Sequence, residues 1–306
     1  MLQFRQVVLL SSLALAAPGY AGKLSIVIDD FGYRPHQENQ VLPLPSAISV
    51  AVLPNAPHAR EMATKAHNSG REVLIHLPMA PLSKQPLEKD TLRPEMSQDE
   101  IERIIREAVD KVPYAVGLNN HMGSAMTSSL PGMEKVMQAL SRYNLYFLDS
   151  MTIGNSQAMR AANGTGVKVI KRRVFLDDTQ NEADIRVQFN RAIALARRNG
   201  SAIAIGHPHP TTVRVLQQMV YNLPPDITLV RPSSLLNEPQ VDTSRPGRDT
   251  PQTQPTAPRN PFRGVKLCKP KKPLEPVYAN RFFNVLSESI THSTLVQYMQ
   301  LQWQGW

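Results

Sequence analysis

From residue 26 to residue 230, short apolar runs alternate with longer amphipathic stretches. The runs at 26–28, 48–52, 73–75, 115–118, 145–148, 167–170, 202–205 and 227–230 are rich in Val, Ile, Leu and Ala and turn polar where they end. A strand buried on both faces reads this way, because neither face meets water. The intervening stretches carry helical periodicity. Ser97 and Glu100 have capping-box spacing, and Ile101, Ile104, Ile105, Ala108 and Val112 then share one face, which predicts a helix. A second helix is predicted over 181–199, with Ile185, Phe189, Ala192, Ile193 and Ala196 inward and Gly200 placed to stop it. A third is predicted over about 212–221. Strands separated by helices predict an α/β chain wound as a (β/α) barrel, complete or not. The alternative is a doubly wound open sheet; the lack of a Gly-rich phosphate loop after the first strand favours the barrel.

The pattern stops near residue 237. Nine prolines between 239 and 276 interrupt Thr, Gln, Arg and Lys, which predicts a Pro-rich basic linker over 238–278. Residues 279–306 are again amphipathic, with Phe282, Phe283, Leu286, Ile290, Leu295, Tyr298 and Met299 apolar and Trp303 and Trp306 near the end. Such a helical segment can dock on its own domain, pair with a protein partner or lie on a membrane surface. At the other end, Arg5 precedes an apolar run over 7–17, Pro18 breaks it, and Ala21 supplies a small residue for cleavage. This predicts a signal peptide over 1–22, too short to span a bilayer comfortably, and a periplasmic protein whose barrel occupies 23–237. The alternative is an uncleaved interfacial anchor.

Composition sharpens this reading. With 306 residues and 42% hydrophobic content the chain can bury a sizeable core. Between residues 241 and 281 nine Lys and Arg face three acids, so the tail holds +6 of the net +9. The predicted barrel is only mildly basic, and no nucleic-acid partner is expected. Cys268 is the single cysteine, which excludes an internal disulfide and a Cys-based zinc site. Any metal must be held by His and carboxylate.

The first strand runs straight into Asp29 and Asp30. Adjacent carboxylates repel and lose solvation unless a cation or a proton compensates. The carboxyl ends of barrel strands are where chemistry sits. The alternative is an Asp-rich turn that merely closes the strand. Other strands end at His76, at Asn119-Asn120-His121, at Asp149-Ser150 and at His207-Pro208-His209, and the segment after 170 carries Arg172, Arg173, Asp177 and Asp178. Parallel strands bring these ends to one rim, so four of the eight histidines fall beside Asp29 and Asp30. His with carboxylate and an open position is the ligand set of a catalytic zinc site, which polarises a carbonyl and lowers the pKa of bound water. Amide or ester hydrolysis follows as the reaction class, with Asp29 and a rim histidine as base and acid.

In this order, Ile28-Asp29-Asp30-Phe31-Gly32, His76-Leu77-Pro78-Met79, Asn119-Asn120-His121-Met122-Gly123-Ser124, Phe147-Leu148-Asp149-Ser150 and Gly206-His207-Pro208-His209-Pro210 resemble the divergent polysaccharide deacetylases over about residues 23–237. The resemblance implies a distorted (β/α)7 barrel that removes N- or O-acetyl groups from chitin-like or peptidoglycan sugars, with an acetylated envelope polysaccharide as partner. It implies Asp29 as general base, Asp30 as metal ligand and His207 as the acid that protonates the departing amine or alcohol. Ordinary deacetylases take both metal histidines from one His-x-x-x-His segment. Here Ala80 stands four residues after His76, so His121 is the expected second histidine ligand. Asn119-Asn120-His121 also replaces an Arg-Pro-Pro-Tyr type segment. Asn120, Asp149 and His209 are expected behind the ligands or against the substrate. Arg172 or Arg173 either orients Asp29 or is a surface cation. The expected function is that of a periplasmic carbohydrate deacetylase using a divalent metal, zinc by preference. The alternative is a non-catalytic glycan-binding or regulatory protein on the same barrel, which the missing second histidine favours and the Asp29–Asp30 pair and His207 oppose.

Overall fold

The computed structural model describes residues 21–238. The leader expected over 1–22 lies outside these except for its last two residues; Gly22 opens the first strand. Residues 239–306, with all but the first residue of the expected linker and the whole terminal segment, likewise lie outside.

The elements run β1 (Gly22–Phe31), α1 (Pro35–Glu38), β2 (Ser49–Val52), α2 (Ala59–Asn68), β3 (Val73–Met79), α3 (Gln98–Lys111), β4 (Ala115–Met122), α4 (Ser124–Ser128), α5 (Leu130–Leu140), β5 (Tyr146–Asp149), α6 (Ala158–Ala161), β6 (Val169–Lys171), β7 (Val174–Phe175), α7 (Glu182–Asn199), β8 (Ser201–Gly206), α8 (Pro210–Met219) and β9 (Ile227–Leu229). All strand pairs are parallel, in the order β6-β5-β4-β3-β2-β1-β8-β7, and β9 pairs the start of β1. The run from β1 to β6 follows chain order, and β8 closes back on β1. That is the wrap of a barrel, not the order of a doubly wound sheet. No ladder joins β6 to β7 among the described residues, so the curled sheet keeps a seam there.

Both faces of the sheet are buried, as the near-continuous apolar strands require. Val27, Ala51, Leu74, Tyr146, Leu148, Ile170, Ile203 and Ile205 form the inner cluster, joined by Leu235 from the turn at Pro232–Leu235. Leu24, Ile26, Ile28, Val50, Val52, Val73, Ile75, Leu118, Phe147, Ala202 and Ala204 point outward into the core shared with the helices. The helices meet that core through the predicted faces. Ser97 caps α3 in a complete capping box, and Ile101, Ile104, Ile105 and Ala108 are buried. Asn181 caps α7, whose five predicted inward residues are all buried, and Gly200 follows it at φ 80°. Among the described residues no helix is long and apolar enough to cross a membrane.

Besides β1, which runs on through Asp29 and Asp30, two strands continue well past their apolar runs. β3 continues through His76 to Met79 and β4 through Asn119, Asn120 and His121 to Met122, in register as His76 with Asn119 and Pro78 with His121. Backbone pairing carries each strand past the point where its side chains turn polar. β7, only two residues long, was not among the expected strands; it takes the ladder on β8 at Val174–Ala204 and Phe175–Ile205.

Candidate active site

Successive strand side chains point to opposite faces, so the inner cluster fixes which polar residues face the barrel mouth. Asp29 lies two residues beyond Val27, His76 two beyond Leu74, Ser150 two beyond Leu148 and His207 two beyond Ile205, each on from an inner-cluster residue. Asn119 and His121 follow at the same spacing from Gly117, whose missing side chain leaves room for the Tyr146 ring. Asp30 has the wrong parity for this face. It reaches the mouth because its backbone is left-handed, φ 61°, and the β1–β2 register shifts between Ile28 and Phe31. This bulge lets two adjacent carboxylates serve one site.

Three donor atoms converge there. Asp30 Oδ1 lies 3.3 Å from His76 Nε2 and 3.2 Å from His121 Nδ1, and the two ring nitrogens are 3.1 Å apart. Donors about 2.0–2.1 Å from a tetrahedral zinc stand about 3.3 Å from one another. Asp30 Oδ1 is closed to solvent and accepts no well-formed hydrogen bond. Asn119 explains how His76 is presented. Its Nδ2 donates to both Asp29 oxygens, at 2.9 and 3.0 Å, which leaves its Oδ1 to face His76 Nδ1 at 2.8 Å. Carboxylates accept only, so the amide orientation is fixed, Nδ1 carries a proton, and Nε2 is the nitrogen that faces Asp30. The residues fit a metal ion. Asp177, His207 and His209 also cluster. The Asp177 oxygens, however, already accept from the His207 backbone N–H at 2.7 Å, His207 Nδ1 at 3.0 Å and Thr212 Oγ1 at 2.7 Å. That group is closed by hydrogen bonds and asks for no ion.

The family model described as divergent polysaccharide deacetylase matches residues 26–236. The chain belongs to this family. It is 81% identical to YibQ of Escherichia coli (strain K12), over 100% of this chain and 96% of that one. A protein of Haemophilus influenzae is 44% identical over 73% of this chain and 80% of its own length. The crystal structure of protein ATU2773 from Agrobacterium tumefaciens C58 superposes with a TM-score of 0.66 at 20% identity, over 72% of this chain and 91% of that one, a likeness of fold. In this member of the family Ala80 stands four residues after His76, and His121 reaches His76 from the neighbouring strand.

Beside the triad sit the two groups suited to proton transfer. Asp29 is buried, which pushes its carboxyl up although His76, His207 and Asn119 pull it down. Burial also opposes the charge of Asp30, but the His121 and His76 nitrogens outweigh it and hold the carboxyl far below the usual range. His76 is raised, as Asp29 and Asp30 overcome its burial. For His207, burial works against the imidazolium, yet Asp177 at Nδ1 lifts it to about 9. Its Nε2 points the other way, 3.7 Å from Asp30 Oδ2. Asp30, His121 and His207 line a cleft of about 240 Å³ together with Tyr33, Arg34, Gln37, Glu88 and His209, while Asp29 and His76 are buried behind them. A larger cavity, about 450 Å³, lies at the opposite ends of the strands around Tyr143, Tyr146 and Lys168, away from the clustered histidines and carboxylates.

The fold thus brings Asp29, Asp30, His76, His121 and His207 together, with His209 at the rim, its ring 5.6 Å from that of His207. Asn120 and Asp149 have the opposite parity and do not face the cleft. Asn120 accepts from Ser150 N–H at 2.9 Å and donates to the Met122 carbonyl at 2.6 Å, while Asp149 accepts from Met151 N–H at 2.8 Å. They hold the loops behind the site. Arg172 does not bond Asp29; it donates to the Ser150 and Met151 carbonyls and lies over Phe175. Sequence reasoning missed the functional roles of Asn119 and Asp177. Strand parity would have preferred Asn119 to Asn120.

Proposed function

We propose that the protein is a periplasmic, divalent-metal-dependent deacetylase that hydrolyses N- or O-acetyl groups of an envelope glycan. The observation that carries this reading is the convergence of Asp30 Oδ1, His76 Nε2 and His121 Nδ1 beside Asp29 and His207. Asp30, His76 and His121 would hold the metal, zinc by the character of the donors. When bound, the ion polarises the acetyl carbonyl and makes water a nucleophile near neutral pH. Asp29, held by Asn119 and raised by burial, takes the proton of the attacking water. His207, kept protonated by Asp177, donates from Nε2 to the amine or alkoxide as the bond to the acetyl carbon breaks. The non-catalytic alternative drew on the absent second histidine, and the 3.1 Å approach of His121 to His76 favours the catalytic reading over it.

The test is acetate release from acetylated chito-oligosaccharides and peptidoglycan. Wild-type protein should release acetate with zinc, lose the activity to a chelator and regain it on zinc addition, while Asp30→Asn and His207→Ala stay inactive though folded. Zinc-loaded protein that releases none from any of these substrates would return the chain to the glycan-binding reading. Cell fractionation, with the protein expected in the periplasm, tests the location.

A further inference from the structure

We propose that Glu88 is the positioning residue that fixes the tautomer of His121, presenting Nδ1 to Asp30 and His76; this rests on the metal-site reading above. Glu88 lies in the loop between β3 and α3, and that loop is tied down on both sides. Ala80 N–H donates to the Leu92 carbonyl at 2.8 Å and Leu92 N–H to the Pro78 carbonyl at 2.9 Å. Thr91 Oγ1 donates to the Glu88 carbonyl at 2.6 Å, and Asn55 Nδ2 to the Lys89 carbonyl at 2.8 Å. The Glu88 side chain is thereby held in the wall of the cleft. Its Oε1 stands 4.0 Å from His121 Nε2, on the side of the ring away from the triad. Its Oε2 is closed to solvent and meets no hydrogen-bond donor. A carboxylate oxygen buried without a donor is unfavourable, and such placements call for an explanation.

That cost falls on Oε2, which is not the oxygen facing His121; the role of the carboxylate follows from Oε1 and from what the ring needs. His121 offers Nδ1 to the triad, so that nitrogen must be free of its proton to bind a metal, and Nε2 must carry it. A carboxylate behind Nε2 can only accept and therefore selects that tautomer. At 4.0 Å the contact is longer than a hydrogen bond, and it acts through charge or one bridging water. Asn119 does the same for His76 with the nitrogens exchanged: acceptor at Nδ1, lone pair at Nε2. Each histidine thus has one acceptor behind it and one nitrogen in front. The ligand that departs from the family's spacing brings its own orienting group from a different loop.

The experiment measures zinc affinity of the full chain by competition with a chromophoric chelator, in wild type, Glu88→Ala, Glu88→Gln and His121→Ala. Nitrogen NMR of the metal-free protein reports which His121 nitrogen is protonated before any ion imposes the tautomer. Glu88→Ala should bind zinc about 10- to 100-fold more weakly and lose the single Nε2–H tautomer; Glu88→Gln, which keeps a neutral acceptor, should retain the tautomer and lose less affinity. If wild type binds zinc, His121→Ala does not, and Glu88→Ala matches wild type in affinity and tautomer, the proposal is overturned and the metal site stands. A wild-type chain that takes up no zinc overturns both.

Discussion

Asp177 engages both oxygens on His207 and Thr212, and this pairing has a pH signature. His207 rises from 6.5 to about 9, with Asp29 and Asp30 adding to the pull of Asp177, so its share of the stability is complete below pH 6.5 and fades as the pH climbs through about 9. Asp177 is lowered from 3.8 despite its burial, so its share is complete above pH 3.8 and fades on further acidification. Thermal melts in chelator should therefore show the widest gap between wild type and Asp177→Asn between about pH 4 and 6.5, narrowing toward pH 9; a gap that ignores pH would refute the coupling. Asn119 carries a different burden, because it sets His76 and Asp29 together. Asn119→Ala should weaken zinc binding by about 10- to 100-fold, read by chelator competition, with the protein still folded. These two residues also mark the limit of sequence reading. Asp29, Asp30, His76, His121 and His207 stand out because each is polar where an apolar run stops. Asp177 was in view, ending the apolar run Val174-Phe175-Leu176, but so short a run was not read as a strand, and Asn119 was hidden by its neighbour Asn120 until parity separated them.

At the scale of elements, helices were the more legible. The Ser97–Glu100 cap and the apolar faces of α3 and α7 follow from local chemistry, and the structure repeats them. The strand ends did not follow, since backbone pairing extends β3 and β4 through residues whose side chains serve the cleft. One buried arginine shows how backbone carbonyls can hold a cation, although its Nε has no hydrogen-bond partner. The Arg71 guanidinium is buried and donates to the Pro45 and Ile48 carbonyls at 2.8 and 2.9 Å, to Leu42 at 2.7 Å, and to Leu44. It ties the segment between α1 and β2 to the start of β3. Arg71→Ala orphans these acceptors and should destabilise the fold by about 3 kcal/mol, measurable by urea denaturation. Arg71→Lys should recover only part, because one ammonium cannot span the same fork of carbonyls.

For the molecule as a whole, zinc should behave as a ligand of the native state. At a free concentration 100 times its Kd it adds about 2.7 kcal/mol to stability, so the melting temperature should climb with zinc in wild type and stay flat in Asp30→Asn. The barrel itself was legible, because alternating strands and helices without a phosphate loop point to it. Its seam between β6 and β7 was not, since no local signal says that two successive strands fail to pair. The β3–β4 ladder has one further consequence. His76 and His121 sit on neighbouring strands whose backbones are bonded in register through Met79 and Met122. A site whose donors stand on one mobile loop can widen to suit its guest; here widening would tear the ladder. The sheet therefore sets the bore of the site. Calcium, which wants six to eight oxygens at about 2.3–2.6 Å, is too large a guest for it, and ion choice becomes a property of the scaffold as much as of the ligands.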